Sequence, residues 1–159
     1  MNKIRILTAD DHAIVRAGIR KALKNTSSME LAGEAENGRE ALEKIRNLKP
    51  DIALLDIVMP EMNGLEVLHR LRRQGTDTQC IILSIHKNDA YVYEAFAGGA
   101  SGYLVKPSFS HDIIKAIRTV SEGEIYLSPR IDSKFIRSFV RNRGQQTFTL
   151  PQISRISSL

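Results

Sequence analysis

The sequence is poor in three things: cysteine, long apolar runs, and acidic residues towards its end. Among 159 residues there is one cysteine, Cys80. That excludes an internal disulfide and any zinc site built from several thiolates. No apolar run approaches the ~20 residues needed to cross a bilayer, so no membrane association is expected. Met1-Asn2-Lys3 leads directly into a strand-like run, with neither an apolar signal-peptide core nor a cleavage site. These absences predict a cytoplasmic protein. With 42% hydrophobic and 26% charged residues, the composition is that of a folded globular chain rather than a disordered tail.

The shortage of acidic residues is local, and it locates the charge. The whole chain carries 23 basic and 18 acidic side chains, a net +5. Residues 1–127 hold 17 of each sign and are neutral. Residues 128–159 hold Arg130, Lys134, Arg137, Arg141, Arg143 and Arg155 against Asp132 alone, and so carry the entire +5. A basic balance often points to nucleic acid. Here a neutral body is followed by a short basic tail, which predicts two regions with different tasks.

Along the body, short apolar runs alternate with amphipathic stretches. Ile4-Arg5-Ile6-Leu7 reads as a strand ending at Asp10-Asp11, and residues 13–24 repeat apolar side chains at helical spacing. A second strand is expected over 29–35, then a helix capped by Asn37 that stops before Pro50. Ile52-Ala53-Leu54-Leu55 is a fully apolar strand ending at Asp56, and Asn63-Gly64 opens the next helix. Cys80-Ile81-Ile82-Leu83 ends at Ser84, and a short helix over 89–97 follows. Gly102-Tyr103-Leu104-Val105 runs into Lys106-Pro107, before a last helix lined by Ile113, Ile117 and Val120. This (βα)5 order predicts an α/β fold: a doubly wound, five-stranded parallel sheet covered on both faces.

In such sheets the binding crevice lies beyond the carboxyl ends of the strands. The residues at those ends are Asp10 and Asp11, Asp56, Ser84 and Lys106. Three carboxylates, a hydroxyl and an ammonium are therefore expected on one rim. Clustered carboxylates repel unless a cation joins them, and Mg2+ suits carboxylates combined with water and phosphate oxygens. Asp56 beside such an ion is placed to act as a carboxylate nucleophile and form an aspartyl phosphate. Lys106 and Ser84 would then receive phosphoryl oxygens.

The acidic pair, the segment Leu55-Asp56-Ile57-Val58-Met59-Pro60-Glu61-Met62-Asn63-Gly64, Ser84 and Lys106-Pro107 resemble the receiver domain of two-component response regulators. The resemblance covers roughly residues 1–127. It implies Asp56 as phosphoacceptor, with Asp11 as a direct metal ligand and Asp10 acting largely through water. The Val58 carbonyl would complete the protein's share of the metal shell. Ser84 would be the switch hydroxyl, Tyr103 the switch aromatic, and the Lys106–Pro107 bond cis. Residues 97–104 and the run Gly123-Glu124-Ile125-Tyr126-Leu127-Ser128-Pro129 narrow the match to the NarL/LuxR branch. The resemblance further implies a sensor histidine kinase as partner, a homodimer as a candidate assembly, and DNA contact only through a C-terminal helix-turn-helix domain. With 32 residues after position 127, that domain is expected to be absent, since it needs about 60.

Two other chemistries fit less well. A haloacid-dehalogenase-type phosphohydrolase needs a second aspartate two positions after the nucleophile, where this chain has Val58. The chain is therefore expected to be a phosphoacceptor with at most slow autodephosphorylation, not an enzyme. A flavodoxin-like cofactor binder needs a hydroxyl- and glycine-rich loop after the first strand, where this chain has Asp10-Asp11. The four histidines lack metal-ligand spacing and are expected at the surface.

In the tail, Asp132 is expected to cap a helix near 132–143 with Phe135, Ile136, Phe139 and Val140 as one stripe. That stripe has to cover the body, a second protomer or the absent domain. Its basic residues are expected on a solvated face. Gly144 to Thr147 reads as a break, and 145–159 as mobile linker.

Overall fold

The structure, a computed structural model, describes residues 2–108 and 110–145. The element order is β1 (Ile4–Ala9), α1 (Ala13–Lys24), β2 (Met29–Ala35), α2 (Gly38–Leu48), β3 (Ile52–Asp56), α3 (Gly64–Arg73), β4 (Gln79–Ser84), α4 (Asp89–Ala97), β5 (Gly102–Val105), α5 (Ser110–Ser121), β6 (Tyr126–Leu127) and α6 (Lys134–Gln145). The strands form one sheet in the order β2-β1-β3-β4-β5-β6, and every pairing is parallel.

Strand periodicity divides the core in two. Alternate residues of a strand face opposite sides of the sheet. Ala53 and Leu55 of β3 join Cys80 and Ile82 of β4 under α2, α3 and α4. Ile52 and Leu54 join Ile81 and Leu83 under α1 and α5. Because both faces are covered, β3 is buried along its whole length, which is why it reads as an unbroken apolar run.

The sheet has six strands rather than the expected five. Tyr126 and Leu127 pair beside Gly102 and Tyr103. Two residues are too few to show an alternating pattern, so this strand is held by its neighbour rather than announced by its own composition.

The tail helix also differs from expectation. Its cap is Ser133, not Asp132: the Ser133 hydroxyl accepts from the Ile136 N–H at 3.2 Å. Ile131 is buried in the core and fixes the approach of the chain, so the cap falls one residue later. The helix covers the body. Ile136 and Val140 belong to the α2–α4 core, and Phe139 lies 4.9 Å from the Tyr93 ring of α4. The Ser133 hydroxyl donates to Asp89 at the start of α4, at 3.1 Å. The expected break at Gly144 does not occur within the described residues, since α6 runs on to Gln145. The linker expected beyond it lies outside them.

Candidate functional site

The chain leaves β1 for β2 on one side and returns to β3 on the other, so β1 and β3 flank the point where the sheet order reverses. Asp10 follows β1 and Asp56 ends β3. Both are nearly inaccessible, at 1% and 5% exposure. Two buried carboxylates side by side need a cation, and Lys106, just after β5, supplies it. Its Nζ donates to Asp10 Oδ2 at 2.7 Å and to Asp56 Oδ2 at 3.0 Å.

Local chemistry fixes each member. After Asp56 the chain folds back sharply: the Val58 N–H donates to Asp56 Oδ1 at 3.3 Å, and the Gly64 N–H to the Ile57 carbonyl at 2.9 Å. A Cβ at Gly64 would sit 2.2 Å from the Asp56 carbonyl oxygen. Only glycine lets α3 begin so close to Asp56. Asn63 caps that helix, its Oδ1 accepting from the Glu66 N–H at 2.9 Å. Behind β1, Arg16 donates to the Asp10 carbonyl and reaches Glu34 and Glu36, pinning the β1–α1 turn. The Lys106–Pro107 peptide is cis, as the resemblance implied.

The charges respond to this packing. Burial pushes the Asp56 carboxyl above its ordinary value; the Lys106 ammonium opposes that shift, and the Asp10 charge adds to it. Burial works to lower Lys106, but its bond to Asp10 and the charge of Asp56 outweigh burial, and the net shift is upward. For Lys106 the partner carboxylates outweigh burial, whereas for Asp56 burial outweighs the Lys106 ammonium.

Ser84 and Tyr103 form a second group beside the first. Both are buried, and the backbone of His86 bonds to each. The Ser84 hydroxyl accepts from the His86 N–H at 3.0 Å, and the Tyr103 hydroxyl donates to the His86 carbonyl at 2.8 Å. Burial raises the Tyr103 phenol to about 12, so it remains a donor. The His86 ring stacks on Tyr91 of α4, centroids 4.3 Å apart. His86 is therefore half-buried between the rim and α4, not a plain surface side chain.

His12 is the other departure. It is exposed, as expected, but its Nδ1 lies 3.0 Å from Asp10 Oδ1 and 3.1 Å from Asp11 Oδ1. Ligand atoms of Asp10, Asp11, His12 and Asp56 all lie within 4.8 Å of one another. The only signal for His12 was its place directly after the acidic pair. His69 and His111 are exposed, in agreement with the sequence. Three carboxylates at this spacing make a hard-oxygen donor set, which fits a divalent cation of the Mg2+ kind. The Val58 side chain points to solvent, 58% exposed.

The tail's cations are not all solvated. Arg143 donates to the Ala100 carbonyl and lies 5.6 Å from the centre of the Phe96 ring. Burial, with the nearby charge of Arg72, lowers its guanidinium to about 10. Arg137 donates to the Ile131 and Pro129 carbonyls. The solvated-face expectation fails for Arg143, which packs on Phe96 and finds the Ala100 carbonyl at the turn before β5; Arg137 stays exposed, as expected.

A parallel sheet with an acidic pair, a buried aspartate, a hydroxyl and a lysine at its carboxyl rim defines a class: the receiver domain. Residues 6–118 match the response regulator receiver domain family, and the chain belongs to it. Its relatives are regulators of the NarL/LuxR type. The chain is 34% identical over 140 residues to the transcriptional regulatory protein DegU of Brevibacillus brevis, covering 88% of this chain and 59% of that protein. It is 32% identical to the oxygen regulatory protein NreC of Staphylococcus carnosus, covering 98% of this chain and 72% of that one. The chain thus spans about three-fifths to three-quarters of the length of these relatives. Among solved structures it resembles a signal receiver domain assigned to NarL of Mycobacterium tuberculosis, with TM-score 0.76, 38% identity, and coverage of 78% of this chain and all of that one. No helix among the described residues is long and apolar enough to cross a membrane.

Proposed function

We propose that this chain accepts a phosphoryl group on Asp56 from a sensor histidine kinase. The observation that carries the proposal is the buried Asp56 carboxylate, held 3.0 Å from Lys106 Nζ and beside Asp10. Residues 1–127 would form the phosphoaccepting unit, with 128–159 as the segment that follows it.

An oxygen of Asp56 attacks phosphorus. The new O–P bond forms as the P–N bond to the kinase imidazole breaks, and the electron pair leaves with that nitrogen. Asp11, Asp56 and the Val58 carbonyl would hold Mg2+ directly, and Asp10 largely through water. The bound ion supplies positive charge to the non-bridging phosphoryl oxygens. Lys106 releases part of its hold on Asp56 and turns to one of those oxygens; Ser84 donates its hydroxyl to another. Catalysis of this kind is positioning and electrostatics. No acidic group stands at position 58 to protonate a leaving group or activate water, which supports a regulatory phosphoacceptor over an enzyme.

When the Ser84 hydroxyl turns to the phosphoryl group, the His86 N–H loses its acceptor, and Tyr103 and α4 adjust with it. A rearranged surface on α4, β5 and α5 would then change partner preference. Exposed Ile14, Val58 and Ile85 follow β1, β3 and β4 around the rim, and support docking of a partner there. The groove of Ile14, Val15, Ile19, Pro107 and Ile113 between α1 and α5 supports pairing with a second copy. DNA contact, and transcriptional control through it, would belong to a C-terminal domain. A cytoplasmic location agrees with this role.

The test is incubation with acetyl phosphate, read by intact mass. One phosphoryl group is expected with Mg2+ present and none after chelation. Asp56→Asn should take up none; labelling of that variant at the wild-type level would sink the proposal.

A further inference from the structure

We infer that Arg130, a residue of the tail, is a positioning residue for Lys106 and so ties the tail to the reaction at Asp56. The inference rests on the reading of Asp56 as phosphoacceptor. A single nitrogen of Arg130, Nη1, donates to the Val105 carbonyl at 3.2 Å and to the Pro107 carbonyl at 2.8 Å. These are the carbonyls immediately before and after Lys106 in the chain. The Lys106 N–H donates to the Ser84 carbonyl at 2.8 Å. The backbone of Lys106 is therefore tied to β4 through its own N–H, and through its neighbours' carbonyls to Arg130.

Arg130 is itself placed with care. The Ser128 N–H donates to the Tyr103 carbonyl at 2.9 Å, continuing the β5–β6 ladder, and the Ile131 N–H closes a turn onto the Ser128 carbonyl at 3.0 Å. The Arg130 N–H donates to the Ser128 hydroxyl at 3.3 Å. Ile131 is then buried in the core at 1% exposure. An anchored strand edge on one side and a core residue on the other fix where the guanidinium begins. A planar nitrogen with two N–H donors suits two carbonyls that flank one residue.

The consequence falls on the ammonium. Lys106 Nζ meets two carboxylates at 2.7 and 3.0 Å, and it has to meet a phosphoryl oxygen in the same place. Its reach is set by the loop that carries it. Displacement of such a group by a fraction of an ångström slows transfer without removing any charge from the site. Arg130 donates to the Val105 and Pro107 carbonyls and not to Asp10, Asp11 or Asp56, so its removal takes no direct partner from the metal-binding carboxylates.

The experiment compares wild type, Arg130→Ala, Arg130→Met and Arg130→Lys in the full chain, with acetyl phosphate and Mg2+, reading phosphoryl uptake by mass. In Arg130→Ala and Arg130→Met the rate at saturating Mg2+ is expected to fall about twofold to tenfold, the loss set by two hydrogen bonds, one exposed and one part-buried. The Mg2+ concentration giving half the maximal rate should not move. Arg130→Lys keeps an ammonium with enough donors for both carbonyls and should recover to within about twofold of wild type. Thermal melts of each variant show whether the folded fraction at the assay temperature has changed. If either donor-free variant folds and transfers at the wild-type rate, the inference is overturned. It is also overturned if Arg130→Lys is as slow as Arg130→Ala, or if lost rate follows lost folded fraction. A wild-type chain that takes up no phosphoryl group overturns the reading of Asp56 instead, and the inference with it.

Discussion

Body and tail use their positive charge in opposite ways. In the body, Lys106 faces two buried carboxylates and is worth most to the molecule as a charge. In the tail, Arg130, Arg137 and Arg143 form no ion pair among the described residues and donate instead to backbone carbonyls. Their value lies in donor geometry. A net +5 concentrated in one segment invites a nucleic-acid reading, yet three of its cations donate to backbone carbonyls, and one of them, Arg143, ties helix α6 to the body. Sign and density of charge do not tell a binding surface from a set of internal ties; the partner atoms do.

The comparison is broken or sharpened most strongly at Lys106. Lys106→Ala leaves Asp10 and Asp56 facing each other with no ammonium. Phosphoryl uptake from acetyl phosphate should fall by about a hundredfold or more, the scale of losing one aimed electrostatic donor. A loss of less than threefold would show that the charge contributes little to transfer. Next comes the apolar stripe of α6. Ile136 is fully buried against the α2–α4 core, so Ile136→Ala should destabilise the chain by about 2–4 kcal/mol in denaturant melts. An unchanged melt would mean that the tail only rests on the body. Smallest is the exposed face of the same helix, where Lys134 and Arg141 lie. Arg141→Ala should stay within about 0.5 kcal/mol of wild type; a larger loss would place Arg141 with the ties rather than on the solvated side.

The body was legible because its candidate functional groups stand at, or within three residues of, the ends of apolar runs. Ile52-Ala53-Leu54-Leu55 can only be a buried strand, so Asp56 has to emerge at its carboxyl end. The same logic places Asp10, Ser84 and Lys106, and a parallel sheet then brings all four to one rim. What stayed hidden depends on distance in the chain. Arg130 finds its carbonyl partners 25 and 23 residues back, and nothing beside it in sequence announces them. His86 acts through its own backbone N–H and carbonyl, which any residue possesses, and through a ring contact with Tyr91. The approach of His12 to Asp10 and Asp11 stayed hidden because ligand spacing is usually sought between histidines, not beside a pair of aspartates. The shift of the α6 cap from Asp132 to Ser133 is decided by the burial of Ile131, a tertiary fact. Strand β6 is two residues long and exists only because β5 offers an edge.

The most direct test of the account is the chemical identity of the phosphorylated side chain. Borohydride reduces an aspartyl phosphate to homoserine, and peptide mass spectrometry then places the reduced residue. After reaction with acetyl phosphate and Mg2+, the account predicts homoserine at position 56 and at neither position 10 nor position 11. Reduction at Asp10 or Asp11, or a phosphoryl group that resists borohydride because it sits on a serine or histidine, would contradict it.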